Sequence, residues 1–317
     1  MSDLAGTDAV VAVAGYWAVP AAALVGALAF LTASLHAMSG SAVSGRGRLA
    51  AATVLVREVA RLLRQRRRRT VAADVLLWRF ATAGLVPLAL LKVTVIPFGR
   101  WTLFDSPVGV VWFNAMDVGV WALVWLAGWG PNAVHSLVGG YRFLAQAVGY
   151  ELPLMFALVA PPIAAGSLRV GEVSAAQDGL WFVVWMPVAF GVYCVGVVAF
   201  SVWGPFSVAV GSDLAGGVLA ESSGVDRLLF LAGRYLLLVA GAGFAVPMFL
   251  GGGAGPILAG WVWVLVKTML LLAAFVAVGH RVPSLRPDKF VEAAWVVLLP
   301  LAVAQDMVVA VVAVGRT

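Results

Sequence analysis

Eight separate apolar stretches dominate this chain, at roughly residues 9–38, 76–97, 107–128, 142–166, 181–203, 227–250, 256–280 and 293–315. Each is long enough for a helix to cross the hydrocarbon core of a bilayer, which takes about 20 residues. None alternates apolar with polar residues as an outer-membrane strand does, so the pattern predicts an all-α polytopic helical bundle. The charge count agrees. Only 11% of the residues are charged and 62% are hydrophobic, against about 25% charged in ordinary soluble domains. So few charges could not cover the surface of a water-soluble fold of this length. A soluble globular enzyme, a nucleic-acid binder and a disordered protein are all excluded.

One cysteine (Cys194) and three histidines (His36, His135, His280) leave no disulfide framework. They also argue against an iron–sulfur cluster or a zinc site in this chain. Any redox metal, flavin or NADH site is expected in a partner.

Charge asymmetry orients the bundle. Between the first two stretches lie Arg46, Arg48, Arg57, Arg61, Arg64 and four consecutive arginines, Arg66 to Arg69. The positive-inside rule makes this segment, residues 41–75, cytoplasmic. The loops after the third, fifth and seventh spans then lie inside as well, with Arg227, Arg281, Arg286 and Lys289. The other side holds Arg100, Arg169 and Arg316 among Asp3, Asp8, Asp105, Glu172 and Asp178. Both termini are expected outside a bacterial plasma membrane. The first eight residues carry no basic cluster, so the first span is expected to stay as a helix. Residues 1–317 read as one integral membrane domain. Within the basic segment, Val56, Val59, Leu62 and Leu63 fall together at helical spacing, with Arg57, Arg61 and Arg64 largely opposite. This predicts an interfacial amphipathic helix in contact with lipid. The loop 204–226 carries Asp213, Glu221 and Asp226 among many glycines and serines and reads as a flexible acidic loop. The run from Gly251 to Gly255 reads as a short turn without a phosphate-loop pattern.

An ionisable side chain at bilayer depth costs about 2.5–3.5 kcal/mol on insertion scales, so each one asks for a reason. Arg79 and Lys92 near the ends of the second span, and Arg142 at the start of the fourth, have snorkelling as an explanation. Arg234, two turns into the sixth span, stands between the two cases. Four residues near span centres have no such escape: Asp117, Glu151, Lys267 and Asp306. Short acidic chains there must face the bundle interior or water. They read either as acid–lysine pairs holding helices together or as a proton or ion path. Pro153 beside Glu151 removes the bond to the Gly149 carbonyl and predicts a kink.

These residues bring the sequence to a family. The string Gly128-Trp-Gly-Pro-Asn-Ala-Val-His-Ser-Leu-Val-Gly-Gly-Tyr-Arg142, then Ala145-Gln146 and Tyr150-Glu-Leu-Pro-Leu154, resembles the third internal loop and fourth span of one complex I component. That component is the H subunit of the bacterial proton-pumping NADH–quinone oxidoreductase. Val95 to Gly99, Asp105 to Gly109, Ala165 to Leu168, Pro205-Phe206, Glu221 to Gly224 and Pro283 to Asp288 follow in the family's order. The resemblance covers roughly residues 55–310. It implies a membrane subunit joining the membrane arm to the electron-transferring peripheral arm, with quinone bound together with partner subunits. Glu151, Arg142, Gln146 and Lys267 match family positions along a proton route, with Asp117 and Asp306 added where the family usually has Ser and Asn. Asp213, Glu221, Arg286 and Asp288 match the quinone-chamber side.

The chain also departs from the family. Acids that follow Pro-Phe in the family's fifth loop are absent after Phe206. Ala232-Gly-Arg-Tyr235 replaces an Ala-Glu-Tyr pattern, and the family's signature after the first span is not recognisable in residues 34–48. The implied identity is a divergent paralogue. Two other readings stay open: an anchor subunit of a membrane-bound hydrogenase or ferredoxin-linked complex, and a stand-alone ion transporter.

Overall fold

The computed structural model describes residues 10–43 and 48–315. Asp3, Asp8, Arg46 and Arg316, used above in the charge balance, lie outside the described residues. The longer helices are α1 (Ala18–Val43), α2 (Arg48–Arg64), α3 (Val75–Val93), α4 (Gly109–Trp129) and α5 (Val134–Ala165). After two short helices, α6 (Val170–Ala175) and α7 (Phe182–Trp185), come α8 (Pro187–Phe200), α9 (Gly224–Phe249), α10 (Gly260–Arg281), α11 (Pro287–Ala293) and α12 (Leu299–Val314). Among the described residues, eight helical segments are long and apolar enough to cross a membrane. This is the predicted all-α bundle of a multi-pass membrane protein. Its strand content is small: Val11–Ala12 pairs in parallel with Trp101–Thr102, tying the entry to α1 against the turn after α3.

Helix α9 is the axis of the bundle. It packs against α1, α2, α3, α8 and α10, and its residues from Leu236 to Phe249 are buried without interruption. A helix apolar on all sides belongs in such a centre. Helices α3, α4 and α5 form a consecutive layer beside it.

Two spans differ from their sequence-based limits for local structural reasons. The fourth helix begins at Val134, so Arg142 lies two turns inside it. Its Gly139–Gly140 pair serves close approach. A Cβ on Gly139 would stand 2.5 Å from the Val218 amide nitrogen and 2.6 Å from the Ala209 carbonyl oxygen. Since backbone cannot yield cheaply there, Gly139→Ala is expected to destabilise the protein by about 1–3 kcal/mol. A lowered thermal midpoint with earlier proteolytic cutting in 204–219 would show it. The predicted kink at Pro153 does not interrupt α5, which runs through Pro153, Pro161 and Pro162. The last span starts early, at Pro287, and contains a π-helical turn at Ala294–Leu298. Pro300 lacks the N–H that would bond to the Val296 carbonyl, and a π-bulge absorbs the mismatch.

The loop after α8 differs more. Far from an open acidic connector, it forms three 3-10 turns, Gly204–Val210, Ser212–Leu214 and Gly217–Leu219. Phe206, Ala209, Val218 and Leu219 from these turns are buried. Apolar residues without a regular period escaped the periodicity criterion although they still find a core. The amphipathic helix α2 is present, but its apolar face divides. Leu62 is buried and Val59 half-buried, while Val56 and Leu63 stay exposed. Glu58 accepts two hydrogen bonds from Arg61, which hold its carboxyl below the usual range.

Candidate functional site

A buried polar cluster occupies the interface of α3, α4 and α5. Its centre is an ion pair, Lys92 Nζ to Asp117 Oδ1 at 2.5 Å, with both side chains fully enclosed. Snorkelling therefore does not explain Lys92. Side chains on a helix lean toward its N-terminus, so a lysine in the last turn of α3 aims back into the bundle. There its ammonium sits 4.1 Å from the Phe113 ring centre and 3.9 Å from that of Phe200. Aromatic faces attract a desolvated cation. Asp117 accepts from Lys92 through one oxygen, and its Oδ2 has no hydrogen-bond partner.

Glu151 lies in the middle of α5 and is buried. Its carboxyl faces Asn114 and Trp121 of α4 and lies within the electrostatic reach of both Asp117 and Lys92. Its Oε2 and the Asn114 Oδ1 are buried without partners. Tyr150 stands beside it and accepts a hydrogen bond from Trp121 Nε1 at 3.1 Å. Native interiors pair almost all such atoms with protein or ordered water. The orphaned oxygens around the two carboxylates are polar atoms that no side chain of this cluster satisfies.

The cluster extends along α5. Arg142, Gln146 and Tyr150 recur every four residues and share one face. Gln146 donates to the Ala199 carbonyl at 2.9 Å and leaves its Oε1 buried and unpartnered. At the end of the ladder Arg142 pairs with Asp213 Oδ2 at 2.5 Å. From Arg142 to Glu151 the helix rises about 14 Å, roughly half the hydrocarbon core. Polar side chains thus lead from the packed 204–219 turns to the buried ion pair.

The hydrogen bond from Arg142 holds the Asp213 carboxyl below the ordinary range. Its contribution to stability is therefore complete above pH about 4 and is lost as pH falls through the lower folded value. The pair is exposed and screened, so the effect is modest. The thermal-midpoint difference between wild type and Arg142→Gln should be present at neutral pH and vanish on acidification below about pH 4.

The other predicted site residues lie elsewhere. Lys267 meets no carboxylate among the described residues, contrary to an acid–lysine pair. Its ammonium donates to the carbonyls of Leu250, Gly252 and Ala254 at 2.6, 3.0 and 2.8 Å and sits 4.1 Å from the Trp181 ring. Gly251 and Gly252 have positive φ, which turns those carbonyls inward at little cost. The glycine run is a cradle for a lysine, and only tertiary structure shows it. Asp306 is buried on α12 with Oδ1 unpartnered, and no cation pairs with it among the described residues. Arg286 and Asp288 pair with each other at the surface, 2.8 Å apart. Glu221 is half-buried. The loops bearing these acids and bases touch. Leu285 N–H donates to the Pro205 carbonyl at 2.8 Å, and the Phe206 and Phe290 rings are 4.6 Å apart.

One group went unread in the sequence. At the α2 end of the bundle the His36 ring stacks on His280 with centres 4.6 Å apart and meets Trp203 edge-on at 4.8 Å. Arg234 lies close by, donating to the Ser201 and Val202 carbonyls. It is thus an internal clamp and not a snorkelling side chain. The available signal was two of the three histidines at matching ends of the first and seventh spans.

Among the described residues, eight membrane-length helical segments enclosing a buried lysine–aspartate pair, a third carboxyl and a polar ladder define a polytopic membrane protein with ionisable groups lined up inside it. The chain belongs to the NADH dehydrogenase family, whose family model matches residues 10–310. Among its relatives is the first of the NADH-quinone oxidoreductase H subunits of Geobacter metallireducens. It is 35% identical over 263 residues, covering 79% of this chain and 80% of the relative. The second H subunit of the same enzyme in Cereibacter sphaeroides is 36% identical over 248 residues, covering 77% and 78%. The second H subunit of the Rhodopseudomonas palustris enzyme is 33% identical over 265 residues, covering 83% of each. None of these relatives is a hydrogenase anchor or a stand-alone transporter. The chain is accordingly a membrane subunit of a multi-subunit oxidoreductase of the complex I type.

Proposed function

We infer that this subunit carries protons between the quinone-reducing end of the complex and the membrane interior, with Glu151 as the central proton-binding group. The observation that carries the reading is the Glu151 carboxyl, buried at mid-bilayer beside the Lys92–Asp117 pair with orphaned oxygens around it. Asp117 sets the local charge, and a proton arriving at Glu151 changes what Lys92 must neutralise. The ladder Arg142, Gln146 and Tyr150 links this centre to Asp213. Lys267 and Asp306 stand apart from the pair and serve the onward path.

The loops with Asp213, Glu221, Arg286 and Asp288 form the charged rim facing partner subunits of the membrane and peripheral arms. Quinone, the substrate of the assembly, binds there with those partners. The arginine-rich segment 41–75 and the loop 204–226 lie on the cytoplasmic side of a bacterial plasma membrane, with both termini outside. The exposed Val56 and Leu63 of α2 rest in lipid. Residues 1–317 act as one integral membrane domain. Purifying the tagged protein in mild detergent tests the assignment. Flavin- and quinone-site subunits are expected to co-purify, whereas a nickel subunit or no partner would overturn it.

A further inference from the structure

At the end of the bundle opposite α2, a cavity of about 420 Å³ opens between α1, α9 and α10 beneath the turn that follows α3. Trp17, Leu24, Ile96, Trp101, Val239 and Leu265 are among its walls, and no charged side chain lines it. Apolar cavities do not hold water, and walls of this kind gain dispersion contacts from an apolar chain that fills them. Exposed Trp17 lies at its rim beside Tyr16, with Trp101 and Trp261 also exposed at this end. Aromatic side chains of this kind mark the headgroup level of a membrane. The guanidinium of Arg100 lies over the Trp101 ring, 5.7 Å from its centre. Arg100 is exposed and pairs with no carboxylate among the described residues. A lone cation thus stands at the mouth of a dry slot that continues the acyl-chain region of the bilayer.

We propose that this cavity binds an anionic phospholipid, with one acyl chain between α1 and α10 and the phosphate on Arg100. The lipid fills a gap between the first span and the α9–α10 pair and holds the β-paired entry to α1 in place. Neither the buried ion pair nor the polar ladder takes part.

The intact complex is purified in mild detergent from wild type, Ala21→Trp, Arg100→Gln and Val118→Trp, and retained lipids are quantified per chain by mass spectrometry. Ala21 lines the cavity, and Val118 is an exposed residue on another face. Wild type and Val118→Trp should retain one tightly held phospholipid that Ala21→Trp has lost. Arg100→Gln should keep a lipid but lose the preference for anionic headgroups by up to about fivefold, the value of one exposed ion pair. Since Arg100→Gln alters only an exposed side chain, it reports even if the bulkier Ala21→Trp fails to assemble. Equal retention in wild type and Ala21→Trp, an unchanged headgroup preference in Arg100→Gln, or recovery of quinone as the retained molecule would each overturn the proposal.

Discussion

Glu151→Gln is expected to abolish coupled proton movement while the complex still assembles. Glutamine keeps the volume of the side chain and can still hydrogen-bond Asn114 and Trp121, so packing between α4 and α5 should survive. What it cannot do is take up and release a proton. Loss of a positioned proton-transfer group costs a factor of about a hundred or more. In proteoliposomes, proton uptake driven by quinone reduction should fall to background, with subunit content unchanged. Normal pumping by Glu151→Gln would remove it from the route.

Asp117→Ala should have the largest effect on stability. It leaves the Lys92 ammonium fully enclosed among Phe113, Phe200 and apolar neighbours without its carboxylate. Breaking a buried pair from one side costs about 3–5 kcal/mol, whereas replacing both partners with apolar groups of similar size is often neutral. The single variant should therefore yield little assembled subunit. Lys92→Met combined with Asp117→Leu should assemble with a thermal midpoint near wild type. If the pair tunes Glu151, that double variant should assemble yet pump poorly. Wild-type assembly by Asp117→Ala would show that the pair is not the anchor its burial indicates.

Much of the bundle was legible because a membrane leaves the chain few options. Every span must satisfy its own backbone, so apolar length alone located eight helices. The buried acids were legible for the same reason, since Asp117, Glu151 and Asp306 have no means of reaching water from mid-span. The partners of the buried lysines were not. Lys92 lies near a span end, and only the lean of its side chain and the rings of Phe113 and Phe200 show that it turns inward. The Lys267 cradle depends on backbone carbonyls, which carry no residue-type signal. The start of α5 at Val134 was missed because its first two turns, with His135, Ser136 and two glycines, are less apolar than the stretch from Arg142 onward. Only packing shows Gly140 against α4 and Gly139 against the 204–219 turns. That loop in turn lacked any period, although Phe206, Ala209 and Val218 are as buried as a helix core. The motif around Glu151 identified the family, while the contacts that distinguish this member lie across helices.

Redox-induced infrared difference spectroscopy on the purified complex reads the protonation of Glu151 most directly. As quinone is reduced and reoxidised, a carboxyl C=O band should appear and disappear. That band should be absent in Glu151→Gln and shifted in the Lys92→Met, Asp117→Leu double variant, whose local charge differs. A carboxyl spectrum identical in wild type and Glu151→Gln would mean that Glu151 keeps one protonation state through turnover, which contradicts a proton route through this buried centre.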